Sequence, residues 1–170
     1  VSGFSADWLA LRADADARVR CPSLITRAVG VLSESTATPS IMDLGAGTGA
    51  TMRALAPLID IAHRWTLVDA DRALLDEAER LFASVPLSQL SPPKVLMVTA
   101  QHDLVAAPAP WTVIEGPPPS LLTASALFDL ASQDFVEALA DACAQDGVPL
   151  LAMLSFDGVL EVSPHHPFDG

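Results

Sequence analysis

Apolar positions along the chain change period in a regular order, and that order predicts the elements. From about Ser5 to Arg20, Trp8, Leu9 and Leu11 stand ahead of alternating alanines and charged residues, the pattern of an amphipathic helix with a serine cap. A second helix starts at Pro22, a residue suited to a first turn, and runs through Leu24, Ile25, Ala28 and Val31. From Ser40 the pattern changes. IMDLG is a short strand ending in glycines, TGATMRALAPLI a helix and RWTLVD a second strand. ADRALLDEAERLFASV then sets Leu74, Ala78, Leu81 and Val85 on one helical face at spacings of three and four. KVLMVTA and SLLTASALF read as the third and fourth strands. QDFVEALADACAQDG is a helix that ends at Gly147, with Phe135, Val136, Leu139 and Cys143 inward, and VPLLAMLSF is a fifth strand. Strands that are unbroken apolar runs, alternating with helices, predict an α/β domain: a doubly wound, mainly parallel sheet covered on both faces.

Composition narrows the class. The chain has 170 residues, 51% of them hydrophobic, with a mean hydropathy of +0.39. That length suits one domain with a real core, and the hydropathy excludes a disordered chain. No uncharged stretch approaches the roughly 20 apolar residues that span a bilayer, so no membrane role is expected. With 21 acidic side chains against 9 basic ones the formal charge is -12, and Lys94 is the only lysine. A nucleic-acid backbone, which needs clustered cations, is argued against. The cysteines, Cys21 and Cys143, are far apart and in no metal-ligand spacing, so reduced thiols and no metal site are expected. The N-terminus, VSGFSADWLALRADADARVR, lacks the layout of a secretion signal, and a cytoplasmic chain is the expectation.

The segment that carries chemistry is Asp43-Leu44-Gly45-Ala46-Gly47-Thr48-Gly49-Ala50, at the exit of the first strand. Its glycines let the backbone turn sharply and approach a ligand, and free N–H groups at the following helix favour something anionic. Asp69 ends the second strand, where a carboxylate accepts hydrogen bonds from the two ribose hydroxyls of a nucleoside lying across the strand ends. Gly45-x-Gly47-x-x-Ala50 formally satisfies the dinucleotide fingerprint. Against a dinucleotide, Asp43 stands where such strands stay apolar, and its charge is unhelpful beside a pyrophosphate. A carboxylate and a broad glycine loop suit a ligand with positive centres, and S-adenosylmethionine carries an ammonium and a sulfonium.

IMDLGAGTGA, with LVDAD after the second strand, QHDL after the third and SLLTASALFDL beyond, resembles class I S-adenosylmethionine-dependent methyltransferases over roughly Pro39 to Phe156. TASALFDLASQDF, LSFDG and HPFD, behind a helix such as FSADWLALRADADARVR, are similar to a less characterised bacterial branch. The resemblance implies a Rossmann-like fold organised as an N-terminal helical segment (1–38), a cofactor-binding domain (39–158) and a tail (159–170). It assigns Asp43, Gly45, Ala46, Gly47 and Gly49 to the methionine part of the cofactor and Asp69 to the ribose. Ala70 falls beside the adenine, Asp103 and Leu104 near its amine, and Thr123 to Ala126, with Ser125, on the sulfonium side. Phe128 and Asp129 match positions around the transferred methyl, and Arg12, beside Trp8, enters as a substrate candidate. Asp71 reads as a helix cap, and His102, His165 and His166 as isolated histidines. Ser120 stands where many relatives open the fourth strand with Asp. The family sheet has seven strands, and only DGVLEVSPHHPFDG follows the fifth here, so a sheet lacking its last strands is expected.

With no Asn and no Tyr in the chain, the Asn/Asp-Pro-Pro-Tyr motif of amino-group methyltransferases is absent, and Cys21-Pro22 is misplaced for a cytosine nucleophile. The expectation is methyl transfer from S-adenosylmethionine to a small molecule by direct displacement at the sulfonium. An NAD-dependent oxidoreductase and a non-catalytic cofactor-binding relative are the alternatives.

Overall fold

The computed structural model describes residues 4–34, 37–84, 95–112, 114 and 116–153. Two helices come first, α1 (Ala6–Val19) and α2 (Pro22–Ser33). They are followed by β1 (Ser40–Leu44), α3 (Ala50–Leu55), β2 (His63–Asp69), α4 (Arg72–Ala83), β3 (Val95–Gln101), β4 (Leu121–Ser125), α5 (Gln133–Asp146) and β5 (Leu150–Met153). The five strands pair in the order β3-β2-β1-β4-β5, all parallel. The chain winds outward from β1 on one side and from β4 on the other, which opens a crevice between the carboxyl ends of those two strands.

Alternation along each strand feeds two apolar layers. Ile41, Trp65, Leu67 and Leu121 face α2, α3 and α4, which contribute Ala28, Leu32, Met52, Leu55, Leu75 and Ala78. Met42, Leu44, Val68, Leu122 and Ala124 face the opposite way, onto Leu139 and Cys143 of α5 and onto Trp111. The helices start where a side chain satisfies a free N–H. Ser5 accepts from Trp8 (3.2 Å), Asp71 from Ala73 (2.9 Å) and Ser132 from Phe135 (3.2 Å). Gly147 ends α5 in the left-handed region, at φ 66°, and the Val148 N–H returns to the Cys143 carbonyl.

The structure corrects several boundaries and faces. The helix after β1 stops at Leu55 and continues only as a 3-10 turn over Ala56–Leu58, because Pro57 has no N–H to extend the α ladder. In α2, Leu24 and Val31 are exposed, and the inward stripe is Ile25, Ala28, Val29 and Leu32. Val136 is exposed on α5, where Phe135, Leu139, Ala142 and Cys143 face the sheet. No residue of α1 is buried, and Leu11 points outward. β4 ends at Ser125, since Ala126 turns to φ 53°. Val85, residues 154–158 at the end of the expected domain, and the tail 159–170 with His165 and His166 lie outside the described residues.

Between β3 and β4 the described residues hold no α-helix, only a 3-10 turn over Pro110–Thr112. That connection is pinned to the far face by the Trp111 indole N–H, which donates to Asp146 (2.7 Å). No described helix is long and apolar enough to cross a membrane.

Candidate functional site

The glycine loop that leaves β1 is stitched to the end of β2. Ala46 N–H donates to the Val68 carbonyl (3.0 Å), and Gly47 N–H donates to Asp69 Oδ2 (2.8 Å). Gly47 has φ 53°, which strains any larger residue, and a Cβ there would lie 3.2 Å from Leu9 Cδ1 of α1, which would have to give way by a few tenths of an ångström. Asp69 Oδ1 accepts from Asp71 N–H (2.9 Å), and Asp71 in turn caps α4, as its position in the sequence implied. Asp69 is thus held by one N–H on each oxygen. A carboxylate has about four acceptor sites, so two are left.

A cavity of about 500 Å³ opens over this loop. Of the residues singled out from the sequence, Gly45, Gly47, Asp69, Ala70, Asp103, Leu104, Ser125 and Arg12 lie on its wall. They come from five separate segments, brought together at the carboxyl ends of the strands. Asp103 Oδ1 accepts from Val105 N–H (2.9 Å), which fixes the loop after β3. His102 also reaches the wall: its backbone N–H donates to the Asp69 carbonyl (2.9 Å), and its ring nitrogen Nε2 sits 3.1 Å from the Ala107 carbonyl.

Other candidates stand elsewhere. Ala46 packs into the layer beneath α2 to α4, and Gly49 caps α3. Phe128 packs toward the α5 layer and Asp129 is exposed; neither lines the cavity, although Leu130, the last residue of their 3-10 turn, does. Ser120 lies at the opposite end of the sheet, where its Oγ accepts from Ser40 N–H (3.2 Å) and joins the starts of β1 and β4. What the sequence reading did not assign is the apolar cover: Leu9 from α1 and Leu127 and Leu130 beyond β4 line the cavity. A leucine that faces a cavity carries the same local pattern as one that faces a core. Only the strained Ala126 between β4 and this cover marks the place.

Asp43 is 1% exposed and lies behind the loop, away from the cavity wall. It sits on the same face of β1 as Ile41, and the Thr123 hydroxyl donates to its Oδ1 (2.6 Å), while Oδ2 is buried without a hydrogen-bond partner of normal geometry among the described residues. Burial drives its pKa up to about 7, against the pull of Thr123, Thr51 and Arg20 and with a smaller push from Asp69. The acidity of the cavity wall itself rests on Asp69 and Asp103. Among the described residues no group of three His, Cys, Asp or Glu side chains is placed to hold a metal ion.

No protein-family model and no curated protein matches the chain. Solved structures do. An S-adenosylmethionine-dependent methyltransferase from Thiobacillus denitrificans, in complex with S-adenosylhomocysteine, superposes with a TM-score of 0.51 at 14% identity, over 88% of this chain and 55% of that one. The glycopeptide N-methyltransferase MtfA, also with S-adenosylhomocysteine, gives 0.52 at 14% identity, over 87% and 60%. A methyltransferase of the same cofactor class from Leishmania major gives 0.51 at 15% identity, over 84% and 49%. The fold is that of class I S-adenosylmethionine-dependent methyltransferases, and the chain spans about half to three fifths of the length of these structures.

Proposed function

We propose that the chain binds S-adenosylmethionine in the cavity over the glycine loop and transfers its methyl group to a small molecule, as a cytoplasmic enzyme without a nucleic-acid partner. The observation that carries this reading is Asp69, on the cavity wall with spare acceptor capacity and locked to Gly47. A ribose diol needs two acceptors on one rigid group beside a backbone that a ligand can approach closely, and the residues present fit that requirement. Asp103, Leu104 and Ala70 stand where the adenine would lie, and Ser125 with Gly45 borders the side where the methionine part would lie.

When bound, the cofactor supplies an electrophilic methyl on a sulfonium. The work left to the chain is alignment and exclusion of water. Leu9 and Leu127 line the cavity with apolar surface that would exclude water, and Asp69 would fix the nucleoside end. A general base is required only where the acceptor nucleophile carries a proton, and no residue is assigned that role.

Asp69→Ala is expected to weaken S-adenosylhomocysteine binding by about 1.5–3 kcal/mol, the scale of hydrogen bonds to a charged group. Calorimetry that finds unchanged affinity removes the ribose assignment. The strand order β3-β2-β1-β4-β5 is shared with dinucleotide-binding sheets, so the oxidoreductase reading is tested beside it. Thermal stabilisation by S-adenosylhomocysteine and none by NADH is the outcome expected; the reverse would favour the dinucleotide.

A further inference from the structure

We propose that α1 carries a carboxylate receptor: Trp8, Arg12 and Asp16, at spacings of four along one helix face, with Phe4 just ahead of the Ser5 cap, hold the Arg12 guanidinium ready for a ligand carboxylate in the cavity. The inference rests on the cofactor reading above for the identity of one of its two possible ligands. Its own footing is geometric.

Phe4, Trp8 and Arg12 all lie on the cavity wall, although α1 buries no residue. Their orientation is therefore not explained by core packing. Phe4 and Trp8 stack with ring centroids 4.8 Å apart, and the Arg12 guanidinium lies 4.8 Å from the Trp8 centroid. Asp16 holds Arg12 by two contacts, at Nε (2.8 Å) and Nη2 (3.0 Å). A guanidinium has five N–H donors, and these two contacts leave the edge formed by Nη1 and the second hydrogen of Nη2 without a partner among the described residues. That edge is the fork that receives a carboxylate with two parallel hydrogen bonds. Stacking and pairing remove the rotamer freedom that a lone surface arginine would lose on binding.

Charge placement points the same way. Among the described residues, Arg12 is the only Arg or Lys on a wall whose other charged side chains are Asp69 and Asp103. It is the cationic side chain there that a ligand's anionic group can pair with. Trp8, in contact with both Phe4 and Arg12, serves as scaffold rather than as a cage for a cation. Two carboxylates fit this chemistry, that of the cofactor's methionine part and that of the methyl acceptor.

The test uses the whole chain with S-adenosylhomocysteine, with 5′-methylthioadenosine, which lacks the amino-acid carboxylate, and with benzoate alone. Titrations compare wild type, Arg12→Gln and Arg12→Lys, with circular dichroism to verify the fold. A loss of about 10- to 100-fold in S-adenosylhomocysteine affinity in Arg12→Gln, with 5′-methylthioadenosine unchanged, supports the receptor and assigns it to the cofactor. Unchanged nucleoside binding with loss of benzoate supports it and assigns it to the acceptor. In either case Arg12→Lys, which keeps the charge but not the fork, recovers only part of the loss. The proposal is overturned if Arg12→Gln changes neither carboxylate ligand, or weakens both nucleosides equally. A wild type that binds neither nucleoside removes the cofactor reading, and the receptor then stands or falls on benzoate alone.

Discussion

Two aspartates at the ends of adjacent parallel strands have opposite fates, and the difference is one of side-chain direction. Asp69 ends β2 and turns to the cavity, whereas Asp43 stands one residue before the end of β1 and turns into the layer beneath α2 to α4. Its folded pKa of about 7 lies above its ordinary 3.8. Between those values the folded chain keeps a proton that the unfolded chain has lost. The stabilisation is therefore complete below the unfolded pKa and is lost as pH rises through the folded one. Asp43→Asn is uncharged throughout, so its melting temperature minus that of wild type should grow from about pH 4 to about pH 7 and level off above that. Parallel pH profiles for the two proteins would contradict a carboxyl that titrates near neutrality in this layer. At this scale the sequence made Asp69 legible, because an acid at a strand end is a local signal. It left the direction of Asp43 unread, since that depends on which face of β1 meets Thr123, a partner 80 residues away. The charge expected to meet the ligand thus lies behind the loop.

Helix positions were legible from periodicity and caps, but helix rotation was not always so. In α2, both the set Leu24, Ala28, Val31 and the set Ile25, Ala28, Val29, Leu32 satisfy helical spacing through Ala28, and packing on the sheet selects the second. Val136 on α5 fails for the same reason. The ends were clearer, since a serine or aspartate cap and a terminal glycine act through their own backbone. At Gly147 nothing lies within 4 Å of a built Cβ, so a substitution there meets only the cost of φ 66°. Gly147→Ala should lower stability by about 1 kcal/mol, read as a shifted urea midpoint with an unchanged slope. An unchanged midpoint would mean that the end of α5 relaxes out of its left-handed cap at no cost. α1 is the element whose role the pattern concealed. Its Trp8 and Leu9 signalled an amphipathic helix, and the surface they meet is the cavity rather than the core.

For the whole molecule, alternation of strands and helices was enough to predict the doubly wound sheet, and the crevice between β1 and β4 follows from its strand order. The residues that close that crevice come from α1 and from beyond β4, and no local pattern joins segments so distant in sequence. Charge is the other property that belongs to the molecule as a whole. Nine cationic side chains stand among 21 acidic ones, and the ion pairs seen, such as Arg72 with Asp76 and Glu79, are short-range contacts on single helices. Exposed pairs of this kind contribute at most about 1 kcal/mol each, while a net charge of -12 repels itself across the compact fold. Screening should then help more than it harms. Raising sodium chloride from about 0.02 to about 0.2 M at pH 8, which shortens the Debye length from roughly 20 to 7 Å, is expected to raise the melting temperature. A fall would mean that local pairs outweigh the long-range repulsion, and that the acidic balance is stabilised by its few arginines rather than merely tolerated.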